Sequence, residues 1–463
     1  MLHVDNISFS IKVQQFLCNA VHYDSLQHCS VLPFASNMDT ADVKCPDCGG
    51  SVHIYSRGER RLKDMPFIVG IRSECRVALH RYRCQQCGKT FTEDCCMRYH
   101  GTDITVRAAH WVTELLSYHI PIKAVHEITG ISCDTIRRIH KEMMLCAICE
   151  RKEELRLSGY KPVYIAVDEF AIKRGRIYGT CVIDLDTGDV IWVGLGKSAE
   201  DFSRFFKETD MEYLSEVKAV AMDMNASYNL VIRNCLPKAE IVYDRYHFQA
   251  KYGKDVFNRV RLSEAAQYKN AEDNITACWR RSIANAETKH SEYEIYRRRE
   301  LRAGKNEQRS KRKTVKALRW VLLRNNETLS QQEALKLQEI LSCHEELAVC
   351  YAMKEELCRM FFVTDPAAAD RKWHSWFDAA KASGIKPLVN FARLMEKRLP
   401  GLIAHAKHPI STGKLEGFNN KIKVAKRIGY GYRNMEYFFT LIKYMSLPAV
   451  RKSYRTASSV KVT

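Results

Sequence analysis

VYIAVDEF (residues 163–170) opens the stretch that decides the fold, and EIVYDRYHF (240–248) closes it. Strand-like and helix-like patterns alternate between them. In order, the predicted segments are the strand VYIAVDEF, a hairpin in IYGTCVIDLDTGDVIWVGLG (177–196) that turns at Asp186-Thr187-Gly188, a helix in AEDFSRFFKETDMEYLSEV (199–217), a strand in KAVAMDM (218–224), a helix in NLVIRNCL (229–236) and the strand EIVYDRYHF. Three antiparallel strands followed by helix, strand, helix and strand are the order of a ribonuclease-H-like α/β core.

Two of these apolar strands end in an aspartate, Asp168 and Asp223, and a third acid, Glu416, lies far downstream. A carboxylate at the end of a buried strand is costly unless something pairs with it. Strand carboxyl ends open towards the crevice of an α/β sheet, and converging carboxylates need divalent cations to offset their repulsion. We therefore predict that the three acids hold two Mg²⁺ (or Mn²⁺) ions for in-line attack on a phosphodiester. The alternative for either aspartate alone is a capped turn.

Glu416 belongs to STGKLEGFNNKIK (411–423), which predicts a helix. Its core stripe would be Leu415, Phe418, Ile422 and Ala425, and the adjacent polar stripe would be Glu416, Asn420, Lys423 and Arg427. A carboxylate for metal, followed by an amide and cations for phosphates, is what a strand-transfer site needs. The alternative is a solvated helix face. A turn at GYGYRN and a last helix stopped by Pro448 follow.

The composition points to a polyanionic partner. The 463 residues include 73 Lys and Arg against 54 Asp and Glu, so the formal net charge is +19. Nucleic acid is the first candidate, and a merely basic protein is the alternative. No apolar run approaches the roughly 18 residues that would cross a bilayer, and the N-terminus lacks a signal-peptide pattern. We expect a cytoplasmic, nucleoid-associated protein without a membrane partner, whose 18 cysteines are thiols or metal ligands.

CPDCGG (45–50) and CQQCGK (84–89) are two Cys-x-x-Cys knuckles, each followed by glycine. Two thiolates separated by two residues can chelate one tetrahedral Zn²⁺, and the glycine permits the tight turn behind them. The predicted ligands of a structural zinc ribbon are Cys45, Cys48, Cys84 and Cys87, with SVHIYSRG and CRVALHRYRC as its arms. The alternatives are that Cys75, Cys95 or Cys96 supplies a ligand, or that the thiols are unrelated.

PIKAVHEITGISCDTIRRIHKEM (121–143) predicts a helix-turn-helix. Gly130 would end the first helix and Ser132 would cap the second. Arg137 and Arg138 would then lie on the exposed side of the second helix, where contacts with the major groove occur. The alternative is an ordinary helical hairpin.

Together these segments predict a multidomain α+β protein. The predicted divisions are 1–100 for the N-terminal region with the zinc ribbon, 101–150 for the helix-turn-helix domain, 163–250 for the first part of the ribonuclease-H-like core, 251–395 for a helical insertion, 396–450 for the last part of the core with the catalytic Glu, and 451–463 for a tail. The insertion is basic and helical by pattern, so we expect it to clamp DNA near the cut. A solvated helical spacer is the alternative.

The combination resembles the DDE transposases of bacterial insertion sequences, specifically the ISL-three family. The matching pieces, over roughly residues 40–450, are CPDCGG, RYRCQQCGKTFTE, the helical hairpin, VYIAVDEFAIKRG, AVAMDMNASY, VYDRYHF, the RW-containing insertion and GKLEGFNNKIKVAKRIGYGYRN. The resemblance implies an interrupted ribonuclease-H-like domain with Asp168, Asp223 and Glu416 as catalytic acids. Trp320 is the best candidate for the strand-distorting Trp of related enzymes. Cys95-Cys96 after the ribbon is a departure that adds possible ligands.

The resemblance also implies a reaction and its partners. The protein would bind double-stranded DNA at terminal inverted repeats, hydrolyse a phosphodiester at the element end and join the freed 3′-hydroxyl to target DNA. Asp168 would bridge both metals, while Asp223 and Glu416 would each hold one. A homodimer or larger assembly would hold the two ends. Two other functions stay open: a non-catalytic DNA-binding regulator, and a structure-specific nuclease of the same fold that cuts without joining.

Overall fold

We describe the fold from a computed structural model of the chain, which covers residues 6–13, 16–36, 38–66, 70–118, 120–173, 175–284, 292–324 and 329–448. For residues 6–13 and 16–20 and for Trp320 it describes the backbone alone. The chain divides into two compact units. The first unit comprises residues 1–160 and 418–463, and the second comprises residues 161–417. The six finer divisions predicted above stay predictions.

The first unit contains a six-stranded sheet. Its strands are β1 (Asn6–Val13), β2 (Phe16–Asp24), β3 (Cys29–Ser36), β4 (Val52–Asp64), β5 (Arg72–Cys84) and β6 (Thr90–Thr92), in the order β1-β2-β3-β5-β4 with β6 beside β5. The antiparallel β4 and β5 are the arms predicted between the two cysteine knuckles, and both are longer than expected. Leu32, Leu62 and Val77 are fully buried on this sheet.

Three helices follow in the same unit: α1 (Val106–Ser117), α2 (Ile122–Thr129) and α3 (Cys133–Leu157). Gly130 ends α2 in a left-handed conformation with φ of 67°. The Ser132 hydroxyl accepts a hydrogen bond from the Thr135 backbone N–H and caps α3, as the sequence predicts. Val112, Val125 and Ile136 are fully buried among the three helices. The two helices and the turn are therefore confirmed, whereas their binding to DNA stays a prediction.

The second unit contains a five-stranded sheet. Its strands are β7 (Tyr164–Lys173), β8 (Ile177–Asp184), β9 (Val190–Leu195), β10 (Ala219–Met222) and β11 (Glu240–Tyr243), in the order β11-β10-β7-β8-β9, with α4 (Ala199–Glu208) and α5 (Ala226–Cys235) between the later strands. β7, β10 and β11 run parallel, and β8 and β9 are antiparallel to their neighbours. The elements follow the predicted order, and the kinship with ribonuclease H stays a prediction.

The two faces of this sheet are covered by different helices. Alternating residues such as Ile165, Val167 and Met222 pack with the side chains of α4 and α5. The opposite face carries Ala219 and Val242, which pack against a helix from the end of the unit. Residue 168 follows Val167, so its side chain lies on that opposite face.

In this unit β7, α4 and β11 differ from their predicted extents. β7 does not end at Asp168 but continues to Lys173, because its pairing with β8 outlasts its pairing with β10. α4 ends at Glu208 rather than near residue 217. β11 ends at Tyr243, where EIVYDRYHF was expected to be strand throughout, because the Asp244 side chain accepts hydrogen bonds from the N–H groups of Tyr246 and His247 and starts a helix.

Beyond β11 the described chain is helical. The helices are α6 (Arg245–Tyr252), continued by a π-helical turn (Gly253–Phe257), α7 (Asn258–Ala284), α8 (Glu292–Ala317), α9 (Arg319–Leu323), α10 (Gln331–Cys343), α11 (Glu345–Met360), α12 (Pro366–Ala382), α13 (Lys386–Glu396), α14 (Leu399–Lys407), α15 (Gly413–Ile428) and α16 (Met435–Ser446). Phe248, Tyr252, Trp373 and Trp376 form an aromatic core. Among the described helices, none is long and apolar enough to cross a membrane.

Candidate active site and metal centre

Asp168 and Asp223 lie side by side, each one residue beyond the last pair of the parallel ladder between β7 and β10. The register pairs Val167 of β7 with Met222 of β10, so the two aspartates that follow are in line. Neighbouring strands are about 4.8 Å apart, and residues in line point to the same face of a sheet. The structure therefore brings these two predicted acids together on the face opposite α4 and α5.

Backbone hydrogen bonds orient both carboxylates. Oδ1 of Asp168 accepts from the Glu169 N–H at 2.8 Å, and Oδ1 of Asp223 accepts from the Met224 N–H at 2.5 Å. Burial raises the pKa of Asp168 to about 6, and the negative charge of Asp223 adds to this effect. A bound cation would act in the opposite direction and favour the carboxylate. This pair therefore fits a divalent metal chemically.

Glu416 lies in the first turn of α15, and the start of this helix is fixed beside the same sheet. The Thr412 backbone N–H donates to Oδ2 of the buried Asp244 at 2.9 Å. Asp244 follows Tyr243, which pairs with Met222, so it is in line with Asp223 on the next strand. The Lys414 ammonium donates to the carbonyl oxygen of Leu185. The structure thus places the start of α15 on the face that carries the acids.

The three acids do not form a closed cluster. Glu416 is exposed, and Asp223 is exposed as well. Among the described residues, the groups of three or more ligand atoms within 4.8 Å of one another do not include these carboxylates. A site for two ions about 3.5–4 Å apart would need all three acids to contribute ligands.

Asp244 and His247 lie in the last part of EIVYDRYHF, where the sequence predicts supporting or DNA-contacting roles for them. The structure puts Nδ1 of His247 3.7 Å from Oδ2 of Asp223. Asp244 caps α6 with one oxygen and holds the start of α15 with the other. The available signal was that Asp244 follows an apolar run of the sequence, as Asp168 and Asp223 do.

The polar stripe predicted on α15 is present. Asn420, Lys423 and Arg427 are exposed, and the Lys423 ammonium donates to the Asn420 side-chain oxygen at 3.0 Å. Leu415, Phe418 and Ile422 are buried, as the predicted core stripe requires, whereas Ala425 is only half-buried. Trp320 lies in α9, and its side chain is outside the part of the chain that the structure describes.

Arg137 and Arg138 on α3 are both exposed, but their surroundings differ. Arg137 pairs with Asp134 one turn earlier on the same helix. The Arg138 guanidinium donates to the carbonyl oxygens of His100 and Gly101. Arg138 therefore holds a loop against α3, while the Arg137 pair lies within the exposed face of a single helix.

The four knuckle cysteines converge in the first unit. The Sγ–Sγ distances are 3.6 Å for Cys45–Cys87, 3.4 Å for Cys48–Cys84 and 3.5 Å for Cys48–Cys87. Zn–S bonds of about 2.3 Å in a tetrahedron place the sulfurs about 3.8 Å apart, so the cluster needs little adjustment to hold zinc. Gly49 and Gly88 have positive φ values of 69° and 72° behind the two knuckles.

The thiol chemistry of the cluster also fits a metal. The backbone N–H of Cys87 donates to the Cys84 Sγ, as does that of Gln86, and these bonds lower the pKa of Cys84 to about 6. The N–H of Gly50 lowers the pKa of Cys48, but the neighbouring thiols outweigh it and raise that pKa. Without a bound cation, one thiolate therefore disfavours the deprotonation of a neighbouring thiol.

The other cysteines considered as ligands lie outside this group. Among the described residues, the cluster of ligand atoms within 4.8 Å contains the four knuckle cysteines alone. Cys75 is buried and donates to Asp64, and Cys95 and Cys96 pack on the sheet core. The structure therefore favours the four-cysteine set over the alternatives.

Comparisons with known proteins show which proteins the chain is similar to. Residues 165–442 match the family model of ISL-three DDE proteins, which is described as a transposase. The chain is 33% identical over 404 residues to the transposase for insertion sequence element IS1001 of Bordetella parapertussis, a match that covers 86% of this chain and 87% of that relative. It is 27% identical over 282 residues to the transposase for insertion sequence element IS1557 of Mycobacterium tuberculosis, which covers 60% of this chain and 58% of that relative.

Proposed function

Because the chain belongs to the ISL-three family of DDE transposases, we propose that it binds the terminal inverted repeats of an insertion sequence and catalyses cleavage and strand transfer there. The observation that carries the proposal is the alignment of Asp168 with Asp223, with the helix of Glu416 starting on the same face. Its catalytic domain would be ribonuclease-H-like and interrupted by the helices from α7 to α13.

Asp168, Asp223 and Glu416 would hold two Mg²⁺ (or Mn²⁺) ions. When bound, such ions neutralise charge on the phosphodiester and activate water or a 3′-hydroxyl as the nucleophile. The protein's own contribution is positioning: N–H groups orient the two aspartates, and Asp244 ties the start of α15 to the sheet. Asp168 lies on the strand between β8 and β10, where it would hold a cation together with Asp223 on the neighbouring strand.

Each unit would contact DNA through its own basic surface. In the first unit the exposed face of α3 would contact element ends, and the ribbon would hold a structural Zn²⁺.

In the second unit, α7 and α8 form an antiparallel hairpin, with contacts between Glu272 and Arg312 and between Ser282 and Glu294. Tyr293 and Tyr296 are 71% and 61% exposed near its tip, beside a run of arginines that starts at residue 297. A surface that combines arginine with exposed aromatic rings suits unpaired bases.

A donor plasmid that carries the natural DNA flanks of the gene tests the function. With purified protein and Mg²⁺, we expect cuts at the two ends and joining of their 3′-hydroxyl groups to target DNA. Because both ends must be held at once, we expect at least a homodimer on DNA. Cleavage without joining would instead identify a structure-specific nuclease. Binding without either reaction, unaffected by loss of the acids, would identify a regulator.

We expect Arg137→Ala to weaken binding to element ends and to reduce the dependence of the binding constant on salt concentration. A protein of net charge +19 releases counterions from DNA, and each lost phosphate contact lowers the slope of log K against log salt by about 1. Fluorescence anisotropy at several salt concentrations measures both. Equal weakening on specific and random DNA would restrict Arg137 to phosphate contact. Arg138→Ala is the comparison, because it should also lower thermal stability by releasing His100 and Gly101.

We expect Trp320→Ala to slow end cleavage on duplex DNA. A base unstacked at the cut would stack on the ring for about 1–3 kcal/mol, so a mismatch or abasic site at that position should partly rescue the variant. Tyr296→Ala tests whether a ring at the hairpin tip does this instead, and Leu335→Ala, 62% exposed on α10, is the control. If Trp320→Ala lowers thermal stability but leaves the rate per folded molecule intact, Trp320 is a core residue.

A further inference from the structure

Glu169 is a further carboxylate next to the two aspartates, but it lies on the other face of the sheet. It follows Asp168 in β7 and pairs with Thr180 of β8, whose hydroxyl contacts the Tyr228 hydroxyl of α5 at 2.7 Å. Because strand residues alternate between faces, Glu169 points towards α5 and Asp168 points away from it. Glu169 is therefore not placed to share a cation with Asp168.

The Glu169 side chain lies near the positive charge of Lys197, and it is hydrogen-bonded to the turn that follows β10. Its Oε1 accepts a hydrogen bond from Nδ2 of Asn225 at 3.0 Å. Asn225 in turn caps α5, since its Oδ1 accepts from the Ser227 N–H at 2.9 Å, and its backbone N–H donates to the carbonyl oxygen of Asp223 at 2.7 Å. Both ends of the Asn225 amide are thus engaged, and the turn 223–225 is held from β7 and from α5 together.

We propose that Glu169 is a positioning residue, which holds the Asp223 carboxylate in line with Asp168 by fixing Asn225. The inference rests on the proposed function, because it assigns Asp223 to the metal site. A neighbour that orients a metal ligand is expected to affect metal affinity and activity by about 10–100-fold when it is lost. The role needs a hydrogen-bond acceptor at Glu169 and a donor at Asn225, and it needs no negative charge on Glu169.

This requirement makes the role distinguishable from direct metal ligation. Glu169→Gln keeps an oxygen that can accept from Asn225, so we expect metal affinity within about threefold of wild type. Glu169→Ala removes the acceptor, and we expect an affinity loss within the 10–100-fold range typical of such partners. Asn225→Asp keeps the cap of α5 but sets two carboxylates against each other, so it should be as defective as Glu169→Ala. The double variant E169Q/N225D restores a hydrogen bond of reversed polarity, since the Gln amide can donate to the Asp carboxylate, and should recover most of the loss.

The measurement is Mn²⁺ binding to the full-length protein without DNA, by electron paramagnetic resonance, with end cleavage as a second readout. Asn229→Ala is the matched control, because Asn229 lies on the same helix and its amide donates to the Tyr243 hydroxyl at 2.7 Å. It should leave Mn²⁺ affinity unchanged. Thermal melting of each variant shows whether a loss is merely unfolding.

Two outcomes overturn the proposal. If Glu169→Gln is as defective as Glu169→Ala in a folded protein, the charge is required and Glu169 acts on the cation directly. If E169Q/N225D binds Mn²⁺ no more tightly than Asn225→Asp, the hydrogen bond between residues 169 and 225 does not contribute to the metal site. Failure of the proposed function looks different, because wild-type protein would then bind Mn²⁺ without cutting or joining DNA. The Mn²⁺ affinities of the variants would still test whether Glu169 positions Asp223 through Asn225.

Discussion

Asp168→Asn is expected to abolish both cleavage and joining at element ends while leaving binding to those ends nearly unchanged. The same result is expected for Asp223→Asn and Glu416→Gln. Each change keeps the size of the side chain and removes the charge that a divalent cation requires. Because a metal ion contributes several kcal/mol of charge stabilisation and about 1.4 kcal/mol is tenfold in rate, we expect losses of about 10³-fold or more.

Cleavage and strand transfer on short duplexes with the element end, alongside a gel-shift assay for binding, measure this prediction. Asp186→Asn is the matched control. It removes an exposed carboxylate at the β8–β9 turn of the same sheet, and it should leave both reactions intact. Near wild-type joining by any one of the three variants would remove that residue from the site. Loss of binding with loss of cleavage would show that the acid supports the fold or the DNA interface.

Much of the catalytic sheet follows from local patterns. Each apolar run from β7 to β11 is short and is ended by a polar residue or a turn signal. The order and the type of the elements can therefore be predicted from the sequence. The exact ends are set by partners instead. β7 runs past Asp168 because β8 pairs with it as far as Lys173. No residue near Asp168 indicates that the strand continues. Tyr246 and His247 suit a strand by pattern, but the Asp244 carboxylate caps a helix there.

The candidate site shows the same division between local and non-local information. Asp168 and Asp223 could be predicted because each follows an apolar run in the sequence. The contacts of Glu169 with Asn225 and of Asp244 with Thr412 join residues 56 and 168 positions apart. They depend on strand register and on where α15 returns to the sheet. The residue spacing within a single segment indicates neither contact, so neither could be predicted from the sequence.

The second large effect is expected at the cysteine cluster. Purified protein should contain one Zn²⁺, and Cys45→Ser should lose it, unfold the N-terminal sheet around the knuckles and weaken end binding. Structural zinc contributes apparent binding free energies of about 10–16 kcal/mol at neutral pH, whereas a whole domain is stable by only about 5–15 kcal/mol. Losing one of four thiolates therefore removes a contribution as large as the stability of the module itself. Metal analysis after removal of excess zinc, with circular dichroism and a DNA-binding assay, measures all three effects.

The cluster geometry makes the choice of control variants specific. Cys96→Ser changes a half-buried thiol on the sheet core outside the cluster, so zinc content and DNA binding should stay at wild-type levels. A protein with both Cys45→Ser and Cys48→Ser should bind no zinc, because the remaining pair at Cys84 and Cys87 would offer only two of four ligands. If that double variant retains full zinc, the ligands include Cys75, Cys95 or Cys96. The close approach of the four Sγ atoms would then be packing alone. Retained zinc with lost DNA binding would instead assign Cys45 to the DNA interface and leave the metal with other thiols.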